Sequence, residues 1–174
     1  MNKFPPIQTV YKGHVYRSRL EAKYAIFFDR LGIKYEPEPE IFMIDAGGFY
    51  IRYQPDFVLP DIKSTEEFPR PLYVEVKGKD RYSDIYETER IKIEGFAKDH
   101  ALLVLGNMPY QIDDLFKVPD TLFSFTLING KHLPCFFNTY NGEGWLVDGY
   151  RIKNDPERVK TAFSLAVNAC FGKE

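Results

Sequence analysis

Cysteine and tryptophan are nearly absent: the 174 residues hold two Cys and one Trp. Cys135 and Cys170 lie far apart and match no metal-binding or redox spacing, so they are read as free thiols. Two free thiols suit a reducing compartment, and the expected location is the cytoplasm. No apolar run approaches the roughly 20 residues of a membrane span. The opening Met1-Asn2-Lys3-Phe4-Pro5-Pro6 lacks the apolar core of a secretory signal. Neither charge sign dominates. The balance is 23 basic against 25 acidic residues, a net charge of −2, which excludes a histone-like binder. It leaves open a local basic rim around an acidic site. Gly47-Gly48 has no Walker or Rossmann context and reads as a turn. No Gly-x-Ser-x-Gly or Cys/His pattern suggests a nucleophilic enzyme. His14, His100 and His132 have no ligand-like spacing and are read as structural.

What the chain does have is aromatic bulk, 15 Phe and 12 Tyr, with 44% hydrophobic and 28% charged residues. That describes a globular, β-rich protein with enough length for its own core. Leu20, Tyr24, Phe27, Phe28 and Leu31 form one apolar stripe, predicting a helix over Ser18 to Leu31. Ser18 and Glu21 read as its capping box and Gly32 as its stop. A short hairpin around Lys12-Gly13 is expected before it. Strands are expected at Ile33 to Glu36, resuming at Ile41 to Ile44, at Phe49 to Leu59 and at Leu72 to Lys77. A surface loop joins Pro60 to Pro71. A charged helix over Ser83 to Asp99 and a buried strand over Ala101 to Gly106 follow. Asn129-Gly130 signals a hairpin between Thr121–Ile128 and His132–Phe137. Asn141-Gly142 and Asp148-Gly149 suggest further turns, and a last helix starts at Asp155-Pro156. Its apolar residues are Val159, Ala162, Phe163, Ala166 and Cys170. The class is α/β, with a mixed sheet of four to five strands.

The chemistry concentrates in Pro55-Asp56 and Leu72-Tyr73-Val74-Glu75-Val76-Lys77-Gly78. Alternation sends Leu72, Val74 and Val76 to one face, which should be core, and Tyr73, Glu75 and Lys77 to the other. Glu75 and Lys77 are then neighbours, either as a weak surface ion pair or as a metal ligand beside a phosphate-binding cation. Pro55 cannot donate a ladder bond, so the chain should bend there and aim Asp56 at the neighbouring strand. Glu21 borders the apolar stripe and serves either as a cap or as a third carboxylate. Trp145, Tyr140 and Tyr150 are core residues or base-stacking platforms.

Together, Pro55-Asp56 and Glu75-Val76-Lys77 resemble the PD-(D/E)XK motif of the restriction-endonuclease-like nucleases. The order of helix, strands, helix and strand resembles that family's αβββαβ core over about Tyr11 to Gly106. The resemblance implies a nuclease core over residues 1–120. Residues 121–174 would form an accessory hairpin and helix packed on the same domain. It implies metal-dependent hydrolysis of phosphodiester bonds, most readily of DNA. Asp56, Glu75 and the Val76 carbonyl would hold Mg²⁺, with Mn²⁺ as a substitute. Glu21 would join that cluster and Lys77 would be catalytic. Lys92, beside Glu89 and Arg90, stands where the family often has a polar residue. Lys79, Arg81, Arg19, Arg17 and Lys23 would form a basic rim contacting nucleic acid. The implied partners are DNA and a second copy or a specificity-supplying protein, without a membrane. The alternatives are a non-catalytic nucleic-acid-binding or protein-interaction module on the same fold, and an adaptor with Glu75 and Lys77 as a surface pair.

Overall fold

The computed structural model describes residues 6–63, 71–110, 125–128, 131–134, 136–137, 143–145, 151–153 and 156–171. It begins with a hairpin of β1 (Thr9–Tyr11) and β2 (His14–Tyr16). Lys12 and Gly13 turn it with φ of 49° and 79°, the paired positive values of a tight hairpin turn. Helix α1 (Arg19–Leu31) follows. The Ser18 Oγ accepts the Glu21 N–H at its start. Gly32, at φ 71°, ends it in the left-handed region while the Ile33 N–H returns to the Phe28 carbonyl.

Two short strands come next, β3 (Glu36–Pro37) and β4 (Phe42–Asp45). Then come β5 (Tyr50–Tyr53), β6 (Phe57–Lys63) and β7 (Pro71–Val76). A 3₁₀ turn at Tyr82–Asp84 leads into helix α2 (Glu87–Phe96) and strand β8 (Leu102–Leu105). Strands β9 (Phe125–Ile128) and β10 (Lys131–Pro134) form an antiparallel pair. Strands β11 (Phe136–Phe137), β12 (Glu143–Trp145) and β13 (Arg151–Lys153) form a small antiparallel sheet. Helix α3 (Pro156–Val167) is the last element, with Pro156 in its first turn.

The architecture is α/β. Its main sheet has six strands in the order β10-β9-β8-β7-β6-β3, mixed because only β7 and β8 run parallel. Helix α2 makes that crossover, as a parallel connection requires. The sheet is wider than the four to five strands read from the sequence, because β9 pairs with β8 and brings β10 with it.

Both faces of the sheet are buried. On one, Phe57, Leu72, Val74, Leu103 and Leu105 meet Phe27 and Phe28 of α1 and Phe163 of α3. Phe27 and Phe163 lie edge to face, with centroids 6.0 Å apart. On the other, Val58, Tyr73, Leu102 and Val104 lie under Ile93 and Phe96 of α2 and under Ile44 and Tyr53 of the β4–β5 hairpin. Leu72 and Val74 thus occupy the core face assigned to them, and Val76 packs at its edge.

Several boundaries move. Phe49 to Leu59 is not one strand. The chain breaks at Gln54-Pro55-Asp56, β5 pairs with β4, and only β6 joins the main sheet. The expected Ile33–Glu36 strand shrinks to Glu36–Pro37. The charged helix is shorter than Ser83 to Asp99. Strand β6 runs on to Lys63, into the stretch read as a loop, of which 64–70 lie outside the described residues. Cys135, Tyr140, Tyr150, Asp155 and the turns at Asn129-Gly130, Asn141-Gly142 and Asp148-Gly149 also lie outside them. Cys170 is exposed, off the buried stripe of α3. Among the described residues no helix is long and apolar enough to cross a membrane.

Gly95 shows why a glycine sits inside α2. A Cβ there would stand 2.9 Å from the Asp45 carbonyl oxygen and 3.4 Å from Ile44 Cδ1. The helix therefore lies directly on β4, and backbone rather than a flexible side chain is in the way. Gly95→Ala is expected to destabilise by about 1–3 kcal/mol through overpacking, despite the roughly 1 kcal/mol gain in helix propensity. Urea unfolding measures it, and an unchanged midpoint would refute the close-approach argument.

Candidate active site

Three carboxylates of the described residues are buried: Glu21 is 8% exposed, Asp56 6% and Glu75 6%. Burying a carboxylate costs several kcal/mol unless it is paired, so their partners define the site. Each comes from a different element, and sequence order does not bring them together.

Asp56 owes its position to the break at Pro55. Its N–H donates to the Val74 carbonyl at 2.9 Å. The Tyr73 and Lys77 N–H groups point to the β8 side, so by alternation the Val76 N–H points toward β6. Asp56 Oδ2 accepts that N–H at 2.6 Å, as a side-chain continuation of the ladder. Asp56 Oδ1 accepts from Arg17 Nη2. Glu75 lies on β7, where Oε1 meets Lys77 Nζ at 2.7 Å and Oε2 accepts the Tyr53 hydroxyl at 2.7 Å. Glu21, in the first turn of α1, accepts from the Ser18 hydroxyl at 2.8 Å and from the Arg17 N–H at 3.1 Å. Its role as a cap and its nearness to Asp56 therefore coexist. The box departs from the usual form, since Glu21 reaches back to the Arg17 N–H instead of that of Ser18.

Lys77 bridges two carboxylates, with Glu89 Oε2 of α2 at 2.9 Å as the second. Lys92 reaches Glu89 Oε1 at 3.0 Å, so the α2 polar face comes to the site through Glu89 as well as Lys92. Arg17, Arg52, Glu75, Lys77 and Lys92 line a cavity of about 330 Å³ here. A larger cavity of about 550 Å³ lies beside the β1–β2 hairpin. There Lys12 pairs with Asp29 at 2.9 Å and the Tyr35 hydroxyl donates to Asp29 at 3.3 Å, so these two charges satisfy one another. The smaller cavity is the one that Glu75 and Lys77 line.

Of the expected basic rim, Arg17 lines the smaller cavity. Lys23 donates to the Val167 carbonyl at 2.7 Å, capping the end of α3 instead of facing the site. Lys79 lies over the Tyr86 ring, 4.9 Å from its centroid. Arg19 and Arg81 are exposed. His14 stands 3.9 Å from Glu38, while the His100 ring stacks on Phe96 with centroids 4.4 Å apart. Tyr53 and Glu38 were missed at sequence level. The Tyr53-Gln54-Pro55-Asp56 break was the available signal for Tyr53, since a strand ending just before a bend leaves its last side chain beside the next strand's start.

The electrostatics follow from crowding. Burial, then Glu75 and Glu21, push the Asp56 carboxyl well above the usual aspartate range, against Arg17 and the Val76 N–H. Burial also raises Glu21, partly offset by Ser18 and Arg17. Burial alone would lower Lys77, but Glu75 and Glu89 outweigh it and hold the ammonium above an ordinary lysine. Hydrogen bonding from Lys77, assisted by Lys92, lowers Glu89 to about 2.

Raised Asp56 has a stability consequence. The folded state keeps a proton there that the unfolded chain releases near pH ~3.9, so stability falls as pH rises from that value through the folded pKa. In EDTA, the wild-type urea midpoint is expected to fall as pH rises above about 4, and the slope to flatten in Asp56→Asn. Parallel slopes for the two proteins would count against a raised Asp56.

Asp56 and Glu75 could hold a hard divalent cation by donor type, since magnesium takes one or two carboxylates and keeps several waters. Among the described residues no three His, Cys, Asp or Glu side chains form a metal-binding group. All six carboxylate oxygens of Glu21, Asp56 and Glu75 already have protein donors, so a cation would have to share these oxygens with those donors or displace them. Comparison of the chain with protein-family models, with curated proteins and with solved structures finds no match in any of the three.

Proposed function

We propose that this protein is a metal-dependent nuclease that hydrolyses phosphodiester bonds, of DNA in the first instance, on a restriction-endonuclease-like core. One observation carries the reading. Asp56, in the break just before β6, and Glu75, on the adjoining β7, are both buried; Asp56 accepts the Val76 N–H, and Lys77 follows on the Glu75 face beside a cleft that Glu75 and Lys77 line. The order α1, antiparallel strands, α2 and parallel β8 supports the core assignment. The β4–β5 hairpin is an insertion in it.

Asp56, Glu75 and the Val76 carbonyl would hold Mg²⁺ or Mn²⁺, with Glu21 orienting the cluster. The bound ion lowers the pKa of a water and neutralises charge on the phosphate. Lys77, with carboxylates on both sides of its ammonium, keeps its charge and acts as an electrostatic stabiliser of the developing oxyanion. Tyr53 fixes the Glu75 carboxylate, and Glu89 fixes Lys77. Lys92, Lys79, Arg81 and Arg19 are the proposed nucleic-acid contacts. A second copy or a partner protein would supply specificity, in the cytoplasm.

The full set of internal donors on the acids favours a second reading, a non-catalytic nucleic-acid-binding or protein-interaction module on the same fold. Labelled single-stranded, duplex and branched DNA, incubated with Mg²⁺ or Mn²⁺ against EDTA, separates the two. Metal-dependent cleavage that disappears in Asp56→Ala and Lys77→Ala is expected. DNA binding without cleavage under every condition would leave the module reading.

A further inference from the structure

Arg17 is the only cation paired with Asp56 among the described residues. Its guanidinium also lies 3.3 Å from Glu38 and 3.9 Å from Glu21. The residue sits between the end of β2 and the Ser18 cap, so its backbone is anchored on both sides. Its side chain is 45% exposed, whereas that of Asp56 is only 7% exposed. Arg17 therefore reaches the buried acid from the solvent side, and it lines the cleft that Glu75 and Lys77 also line.

We propose that Arg17 is the resident counter-cation of the carboxylate cluster, that a divalent cation displaces it from Asp56, and that the freed guanidinium then binds a phosphate of the nucleic acid in the cleft. The inference rests on the nuclease reading and extends it. Asp56 is desolvated beside Glu75 and Glu21, so whenever its carboxylate is ionised it needs a positive charge beside it. A dication at Asp56 Oδ1 cannot share that oxygen with a guanidinium without strong like-charge repulsion. The dication, with the shorter oxygen contacts, takes the site. Arg17 has only to rotate its exposed side chain toward the cleft. A planar fork that has left a carboxylate is suited to the matching geometry of a phosphate.

The test compares wild type with Arg17→Met, which keeps an unbranched apolar stem and removes the charge, and Arg17→Lys, which keeps charge and removes the fork. Calorimetric titration with Mg²⁺ and Ca²⁺ should give tighter binding in Arg17→Met, by about tenfold, a size typical of coupling between sites. In Ca²⁺, duplex DNA affinity measured by anisotropy should drop in both variants. In the wild type, the Arg17 Nε–H resonance, assigned by its loss in Arg17→Lys, should shift when Mg²⁺ is added. This last readout is made on the wild type and needs only Arg17→Lys, the charge-conserving variant, to fold for the assignment. Metal binding in Arg17→Met no tighter than in wild type, or an Arg17 resonance indifferent to bound metal, would overturn the displacement while leaving the nuclease reading intact. Unchanged DNA affinity in both variants would overturn the phosphate contact. Failure of all three proteins to bind either metal would remove the nuclease reading and this inference with it.

Discussion

Glu75→Gln is expected to reduce metal-dependent DNA cleavage on the order of 10²–10⁴-fold, the span of a catalytic side-chain contribution, without lowering the stability of the metal-free fold. The two halves have one cause. The Gln oxygen can accept from Lys77 in place of Glu75 Oε1 while its amide N–H donates to the Tyr53 hydroxyl, which turns from donor to acceptor, so shape and burial are kept. The substitution also removes one of the charges that push the Asp56 carboxyl up. Lys77 keeps its second carboxylate, Glu89, at 2.9 Å. A surface pair, by contrast, would contribute only about 0–1 kcal/mol and no activity. Single-turnover cleavage and urea unfolding on the same preparation read both halves. Cleavage surviving within tenfold of wild type would reject Glu75 as a metal-binding or catalytic group. A large stability loss with no activity in either protein would make it structural.

Phe163→Ala should cost about 3–5 kcal/mol, the usual loss for a buried aromatic reduced to alanine. Phe163 is 1% exposed and meets Phe27 of α1 edge to face. The two helices cover the same sheet face, so truncating it opens a cavity between α3 and α1 rather than at a free end. The Lys23 bond to the Val167 carbonyl fixes the far end of the same contact. Urea midpoint and slope measure the loss. A change under about 1 kcal/mol, the scale of a surface substitution, would mean that α3 is dispensable to the core.

The two substitutions test different parts of the molecule, and the sequence made them legible to different degrees. Helix α1 was readable to the residue, because its stripe, its Ser18 cap and its Gly32 stop are all local signals. The hairpin at Lys12-Gly13 and the alternation in Leu72 to Lys77 were readable for the same reason. Phe49 to Leu59 was misread as one strand. Its alternation continues through the break, and only the competing pairings, β5 with β4 and β6 with β7, divide it. The width of the sheet was misread because pairing of β9 with β8 is non-local.

The sequence by itself determined the local chemistry: which residues could carry charge, that Glu75 and Lys77 share a face, and that Pro55 would bend the chain before Asp56. Only the tertiary structure decided the partners. It set Arg17 on Asp56, Tyr53 on Glu75 and Glu89 on Lys77, and it sent Lys23 away to the end of α3. Periodicity and capping act over a few residues and are written in the chain. The burial of three carboxylates from a helix, a strand and the break between β5 and β6 depends on how the elements pack, and no short-range signal encodes that.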